Sequence, residues 1–205
     1  MAALGLAACG GGGGDGSTPS ASPSPPTSGT PAPGPAPGPA PGPAPGPAPG
    51  PAPAPTVAGT RATCNLANFE ADVMAAVNAW RARGATCGTQ AYPAVGALAW
   101  NAQLTQASLV HSDDMVARNF FSHTGSDGSS AGQRATRAGY VWRTWGENIA
   151  AGQVGVDNVI TAWMNSPGHC ANMMNANFRD IGLACVAGGS GNTYRTYWTM
   201  TLGAR

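Results

Sequence analysis

Between residues 10 and 55 the chain is almost entirely Gly, Pro, Ala, Ser and Thr, with a single charge at Asp15. Such a stretch has too little apolar side-chain area to offset the entropy of ordering its backbone, so it predicts a disordered arm. Residues 10–30 mix Gly with Ser, Thr and Pro and read as flexible, whereas residues 31–55 repeat Pro-Ala-Pro-Gly. Proline at alternate positions favours polyproline II, so the second half predicts a semi-rigid stalk. Glycine does not fall at every third position, which excludes a collagen helix. The arm is taken as residues 10–56, and any globular fold must be made by residues 57–205. A domain of roughly 150 residues buries about 70% of its unfolded surface, enough for a core without a metal or a disulfide.

The formal net charge is +1, and the ten basic residues, all arginine, are scattered along the chain. Counterion release on nucleic acid needs a clustered basic surface, so no nucleic-acid partner is expected. No apolar run approaches the length of a membrane span.

Residues 1–9 read as a partial lipoprotein signal. Leu6-Ala7-Ala8-Cys9-Gly10 resembles a bacterial lipobox, in which the peptide is cut before the cysteine and the thiol is lipidated. Only eight residues precede Cys9 and none is basic, so the charged region and a full apolar region are missing. Either the true start lies upstream or the match is fortuitous. The first reading is adopted, because the arm follows at once. It places the protein outside the cell or in the envelope, tethered to a membrane through Cys9.

Four further cysteines, Cys64, Cys87, Cys170 and Cys185, lie in the domain and form no CxxC pair. In an exported protein this even number reads as two disulfides; in a cytosolic one it would read as buried thiols. Four cysteines allow three connectivities. The two sequence-local pairs, Cys64–Cys87 and Cys170–Cys185, are expected.

Leu66, Phe69, Val73, Val77 and Trp80 recur at helical spacing and predict a helix over 66–82, stopped near Gly84. Asn101 is a suitable cap for a second helix over 102–119, with Leu104, Ala107, His111 and Met115 along its stripe. A histidine on such a stripe reads as a hydrogen-bonded core residue, with ligand binding as the alternative. Ser129 or Ser130 can cap a third helix over 131–138, and Asp157 a fourth carrying Val156, Ile160 and Trp163. A short helical turn is expected after His169. Residues 181–187 and 193–202, joined across Gly188–Asn192, alternate with period two and predict an antiparallel hairpin. Helices first and strands last favour an α+β class.

Glu147 is one of only two glutamates, the other being Glu70, and it lies between His123 and His169 in sequence. The chemical expectation is that His123, Glu147 and His169 converge on one cleft. Seven short motifs then appear in order: Leu98–Asn101, His111–Met115, Phe121–Gly125, Gly146–Ala150, Trp163–His169, Asn177–Gly182 and Tyr197–Thr199. Together they resemble the CAP superfamily (cysteine-rich secretory proteins, antigen 5 and pathogenesis-related 1; the SCP domain), in its bacterial branch. The resemblance spans nearly all of 66–202. It implies an α-β-α sandwich, an antiparallel sheet between helical layers, with extracellular or envelope placement. It also implies a cleft built on His123, His169 and Glu147, in which a divalent metal such as zinc binds the two histidines. A second glutamate of the family would fall where this chain has Ser166, so the full tetrad is not expected. Asn148 and Ser166 join the three residues as the candidate ligand-binding set.

Two imidazoles leave coordination positions open, and a nearby carboxylate can orient a histidine or act as a general base. A catalytic zinc centre normally has three protein ligands, and the chain has neither an HExxH helix nor a Gly-x-Ser-x-Gly elbow. The expected function is therefore a binding module for a lipid, a small molecule or an envelope component, acting as a monomer. The alternative is a metal-dependent hydrolase using His123, His169 and Glu147. Histidine and glutamate that merely hold loops together are a third reading. Relatives bind lipids, and Phe120, Phe121, Trp142, Trp145 and Trp163 are the aromatic candidates for an apolar groove.

Overall fold

The computed structural model describes residues 60–205 together with the backbone of Gly5–Gly10. The expected stalk lies outside the described residues, as does the side chain of Cys9 with its expected lipidation.

Among the described residues, five α-helices pack with one main sheet. The first helix, α1 (Phe69–Arg83), turns Phe69, Val73, Val77 and Arg81 inward and ends at Gly84. The second, α2 (Ala102–Arg118), starts where Asn101 Oδ1 accepts hydrogen bonds of 3.0 Å from the amides of Gln103 and Leu104. Helix α3 (Ala131–Arg137) opens with a reciprocal Ser130–Gln133 capping box. Helix α4 (Val156–Met164) follows Gly155, so Asp157 lies in its first turn and not at its cap. Helix α5 (Pro167–Met174) begins on a proline preset for the first helical position, which puts His169 in its first turn.

The main sheet has the order β1-β5-β7-β6-β4, with β1 Gly5–Gly10, β4 Ala99–Trp100, β5 Thr144–Ala151, β6 Asp180–Ala187 and β7 Thr196–Ala204. Between α1 and β4, β2 (Ala85–Cys87) and β3 (Gln90–Tyr92) form a separate hairpin. The class is α+β. All pairings in the main sheet are antiparallel except that of β4, whose two residues run parallel to β6. The predicted hairpin is present as β6–β7. Strand β5, which carries Glu147, is not detected by period-two alternation.

One face of the sheet is apolar. Ile181, Leu183 and Cys185 of β6 and Trp198, Met200 and Leu202 of β7 are buried with Phe69, Val73 and Val77 of α1, Ile160 and Trp163 of α4, and Met173 of α5. The opposite face of β7 presents Tyr197, Thr199 and Thr201, and α2 covers it. Ser112 Oγ donates to Thr199 Oγ1 and Ser108 Oγ pairs with Thr201 Oγ1, both at 2.8 Å. The polar half of the alternation is thus buried but hydrogen-bonded. The close approach of α2 requires Gly182, because a Cβ there would lie 2.1 Å from the Thr105 amide nitrogen. Trp163, offered as a groove aromatic, is instead fully buried, donating from its indole to the Ile149 carbonyl at 3.1 Å.

The disulfides differ from the local pairs expected. They are Cys64–Cys185 and Cys87–Cys170, separated by 121 and 83 residues. Thr63 bridges in parallel to Cys185, so the segment before α1 lies along β6 and delivers Cys64 there. Cys87 ends β2, which packs on α5 and meets Cys170. Loop-closure entropy grows only logarithmically, and in the chain-entropy model loops of this size constrain the unfolded chain by about 5 kcal/mol each. Distance along the sequence is therefore no barrier once the layers place the pairs together.

Candidate functional site

Strand β5 positions Glu147 and Asn148, and consecutive side chains on a strand leave opposite faces. Glu147 points to the α2–α3 layer, where both of its oxygens are engaged. His123 Nδ1 lies 2.8 Å from Oε1, and Arg134 Nη2 donates to Oε2 at 2.7 Å. A carboxylate only accepts, so the His123 proton sits on Nδ1 and a neutral ring carries its lone pair on Nε2. His123 Nε2 is buried and has no hydrogen-bond partner among the described residues. The His123 side chain is 20% exposed while that of Glu147 is 2% exposed, so His123 is the member of the pair that reaches solvent.

Arg134 is absent from the sequence-based candidates. It is buried, and its guanidinium also donates to the carbonyls of Ser129 (2.7 Å) and His123 (3.0 Å). It thus grips both Glu147 and the loop that carries His123. One signal for it was available: an interior glutamate needs a cation, and α3 is the short helix immediately preceding Glu147. His111, on the stripe of α2, is fully buried and holds the same loop, with Nε2 2.8 Å from the Ser122 carbonyl.

The electrostatics follow from these contacts. Burial alone would raise the Glu147 pKa, but the His123 hydrogen bond and the Arg134 charge reverse this and hold it below the ordinary glutamate range. For His111 burial dominates and lowers the pKa; nearby Glu147 pulls it up and Arg134 pushes it down.

His169 and Ser166 lie on the Asn148 side of β5. His169 Nδ1 is 2.8 Å from Ser166 Oγ, the position where the resemblance places a glutamate. Asn148 Nδ2 donates to the His169 carbonyl at 3.1 Å. Asn172, also missed by sequence reasoning, donates to Asn148 Oδ1 (2.9 Å) and the Glu147 carbonyl (3.2 Å). The structure therefore joins His123 to Glu147 directly, and joins His169 to the same strand through Asn148 and Asn172. His169 is buried.

Among the described residues no group of three or more His, Cys, Asp or Glu side chains is arranged to hold an ion. His123 Nδ1 is at Glu147 and His169 Nδ1 is at Ser166, and Glu147 has both oxygens committed.

Comparison with known proteins accords with this architecture. The CAP family model, described as the cysteine-rich secretory protein family, matches residues 74–202. The uncharacterized protein YkwD of Bacillus subtilis (strain 168) is 39% identical over 87 residues, which are 42% of this chain and 34% of that protein. The uncharacterized membrane protein YlbC of the same organism is 29% identical over 86 residues, 42% of this chain and 25% of its own length. The chain thus spans about a third and a quarter of these two relatives. Among solved structures, an extracellular protein containing an SCP domain from Bacillus anthracis str. Ames is similar at 29% identity and a TM-score of 0.48, covering 54% of this chain and 35% of its own. An outer surface protein from Borrelia burgdorferi is similar at 20% identity and a TM-score of 0.49, covering 54% and 80%.

Proposed function

This chain belongs to the CAP, or cysteine-rich secretory protein, family, and from that premise we propose that it is an exported binding module and not a hydrolase. The observation that carries this reading is the double engagement of Glu147, at 2.8 Å by His123 and at 2.7 Å by Arg134. A general base must be free to take a proton from water, whereas this carboxylate is fixed as an anchor. Its effect is to hold His123 in one tautomer, leaving a lone pair on the buried Nε2 that a ligand hydroxyl, amide or ammonium group would reach by entering beside the partly exposed side chain.

Two disulfides suit an oxidising compartment, which supports export. Among the described residues no helix is long and apolar enough to cross a membrane. Attachment through a lipid on Cys9, with the stalk as spacer, is the proposed tether, and the ligand is a lipid, a small molecule or an envelope component. His123, fixed by Glu147, is the proposed recognition group, and Asn148, Ser166 and His169 support the same strand from its other side.

The test is a titration of the histidine-labelled full chain with a panel of envelope lipids, cell-wall fragments and zinc chloride, following ring signals by NMR. Saturable shifts of His123 that disappear in Glu147→Gln are expected with a lipid or cell-wall fragment. Chelator-sensitive turnover of any panel member, lost in Glu147→Gln, would overturn the reading in favour of metal-dependent hydrolysis.

A further inference from the structure

Three contacts fasten the loop from Ser122 to Ser129 from below. His111 Nε2 holds the Ser122 carbonyl, and Arg134 holds the carbonyls of His123 and Ser129. The second His111 nitrogen, Nδ1, is buried and has no partner among the described residues. His111 also lines a cavity of about 200 Å³, together with Asp114, Asp127, Ser129, Arg134 and Arg137. We propose that His111 is a proton-operated latch on this loop: protonation turns the ring away from Ser122 and into the cavity, toward Asp114.

The charges around the ring set the direction. Neutral His111 donates once, from Nε2, and Nδ1 presents only a lone pair. A second proton creates an N–H with no acceptor in a sealed position, the arrangement that buried polar groups avoid. The groups facing the ring are Arg134 from α3, which repels the new charge, Glu147 from β5, which attracts it, and Asp114 from α2 itself. The Phe120 ring packs edge-on at 6.3 Å. Both Glu147 oxygens are already occupied. Asp114 and Asp127 line this volume with Arg134 and Arg137, and Asp127 is already paired with Arg137, so Asp114 is the carboxylate that an entering imidazolium approaches. Asp114 also accepts from the Ser126 amide and hydroxyl, at 2.7 and 2.6 Å. An arriving imidazolium competes for that carboxylate and loosens the loop at a second point. Burial holds His111 below the usual histidine range, which is consistent with a neutral ring at pH 7 and puts release on the acid side of that range.

Release of the loop moves His123, so acid should weaken ligand capture; that consequence rests on the binding reading, whereas the latch itself does not. The decisive measurement is amide hydrogen exchange on the full chain, without ligand, from roughly pH 7.5 down through the midpoint of the His111 ring titration, followed by NMR on the same protein. After correction for intrinsic rates, the Gly125 and Ser126 amides, hydrogen-bonded to Ser129 O and Asp114, should lose about tenfold protection, while Ile160 in α4 stays protected. In His111→Gln, whose amide donates but does not titrate, the step should vanish. A flat profile in the wild type, or a step that survives in His111→Gln, overturns the latch. If that variant does not fold, the His111 ring titration in the wild type decides instead: a midpoint more than about one pH unit from the exchange step overturns it. A failed latch leaves the binding reading standing, and a failed ligand titration leaves the exchange result standing.

Discussion

Arg134 Nη2 and Glu147 Oε2 are 2.7 Å apart, with side chains 3% and 2% exposed. The pair joins α3 to β5 in a region sealed from water. Removing one partner leaves the other as an uncompensated buried charge, while removing both leaves none. Arg134→Met is expected to destabilise by about 3–5 kcal/mol. Glu147→Gln alone should also destabilise, but Arg134→Met with Glu147→Gln should cost much less than the sum. Urea unfolding of the four proteins measures the coupling, and additive losses would show that the pair acts as two independent groups.

Acid should weaken the fold in two steps. The His111 pKa is lowered from 6.5 by burial, so the unfolded chain takes up a proton first. Stability is unaffected by this group above about pH 6.5 and falls below it, down to the folded pKa, by at most about 1.4 kcal/mol per pH unit. Glu147 is lowered from 4.5, burial being outweighed by His123 and Arg134. Its contribution is present above the unfolded value and is lost as pH falls through the folded one. Urea midpoints across pH should show both slopes, and His111→Gln should remove the first alone.

Arg81 is fully buried and has no carboxylate among its described hydrogen-bond partners. Its guanidinium donates to the carbonyls of Gly96 (2.7 Å), Met173 (2.6 Å) and Asn175 (3.1 Å). Burial, aided by Arg179, lowers its pKa to about 10, so it stays charged at neutral pH. The end of α5 supplies negative partial charge from its carbonyls. Arg81→Met strands those acceptors and should destabilise by about 3 kcal/mol or more. Arg81→Lys should recover little, because a compact ammonium cannot span the three carbonyls. Thermal unfolding compares the two variants.

The disulfide pairing has a direct chemical check. Proteolysis without reductant should yield linked peptides containing Cys64 with Cys185 and Cys87 with Cys170. Replacing Cys87 and Cys170 together by Ala should lower stability by about 2–5 kcal/mol. Because Cys170 is adjacent to His169 on α5, that variant should also broaden the His169 ring signal. Linked peptides in the local pattern would refute the pairing.

Gly182→Ala tests how closely α2 lies on the sheet. The added Cβ would meet the backbone of Thr105 and Leu104 at 2.1 and 2.2 Å. Backbone cannot step aside as a flexible side chain can, so the loss should be about 3 kcal/mol or more. A near-neutral result in urea unfolding would mean that α2 can shift at little cost.

Local chemistry alone determined much of this protein. Helical spacing gave α1, and cap residues placed the starts of α2 and α3, because an unpaired amide at a helix end needs an acceptor wherever the helix sits. Period-two alternation gave β6 and β7, and the ordered motifs gave the family. Tertiary structure alone decided the rest. Thr144–Ala151 contains glycine, alanine, asparagine and glutamate, residues of low strand preference, and is a strand because β7 pairs with all of it. The sequence shows neither that Arg134 turns inward nor that Cys64 reaches Cys185, since both depend on which layers stack. Position along the chain fixes what a side chain can do, but packing of the layers fixes what it meets.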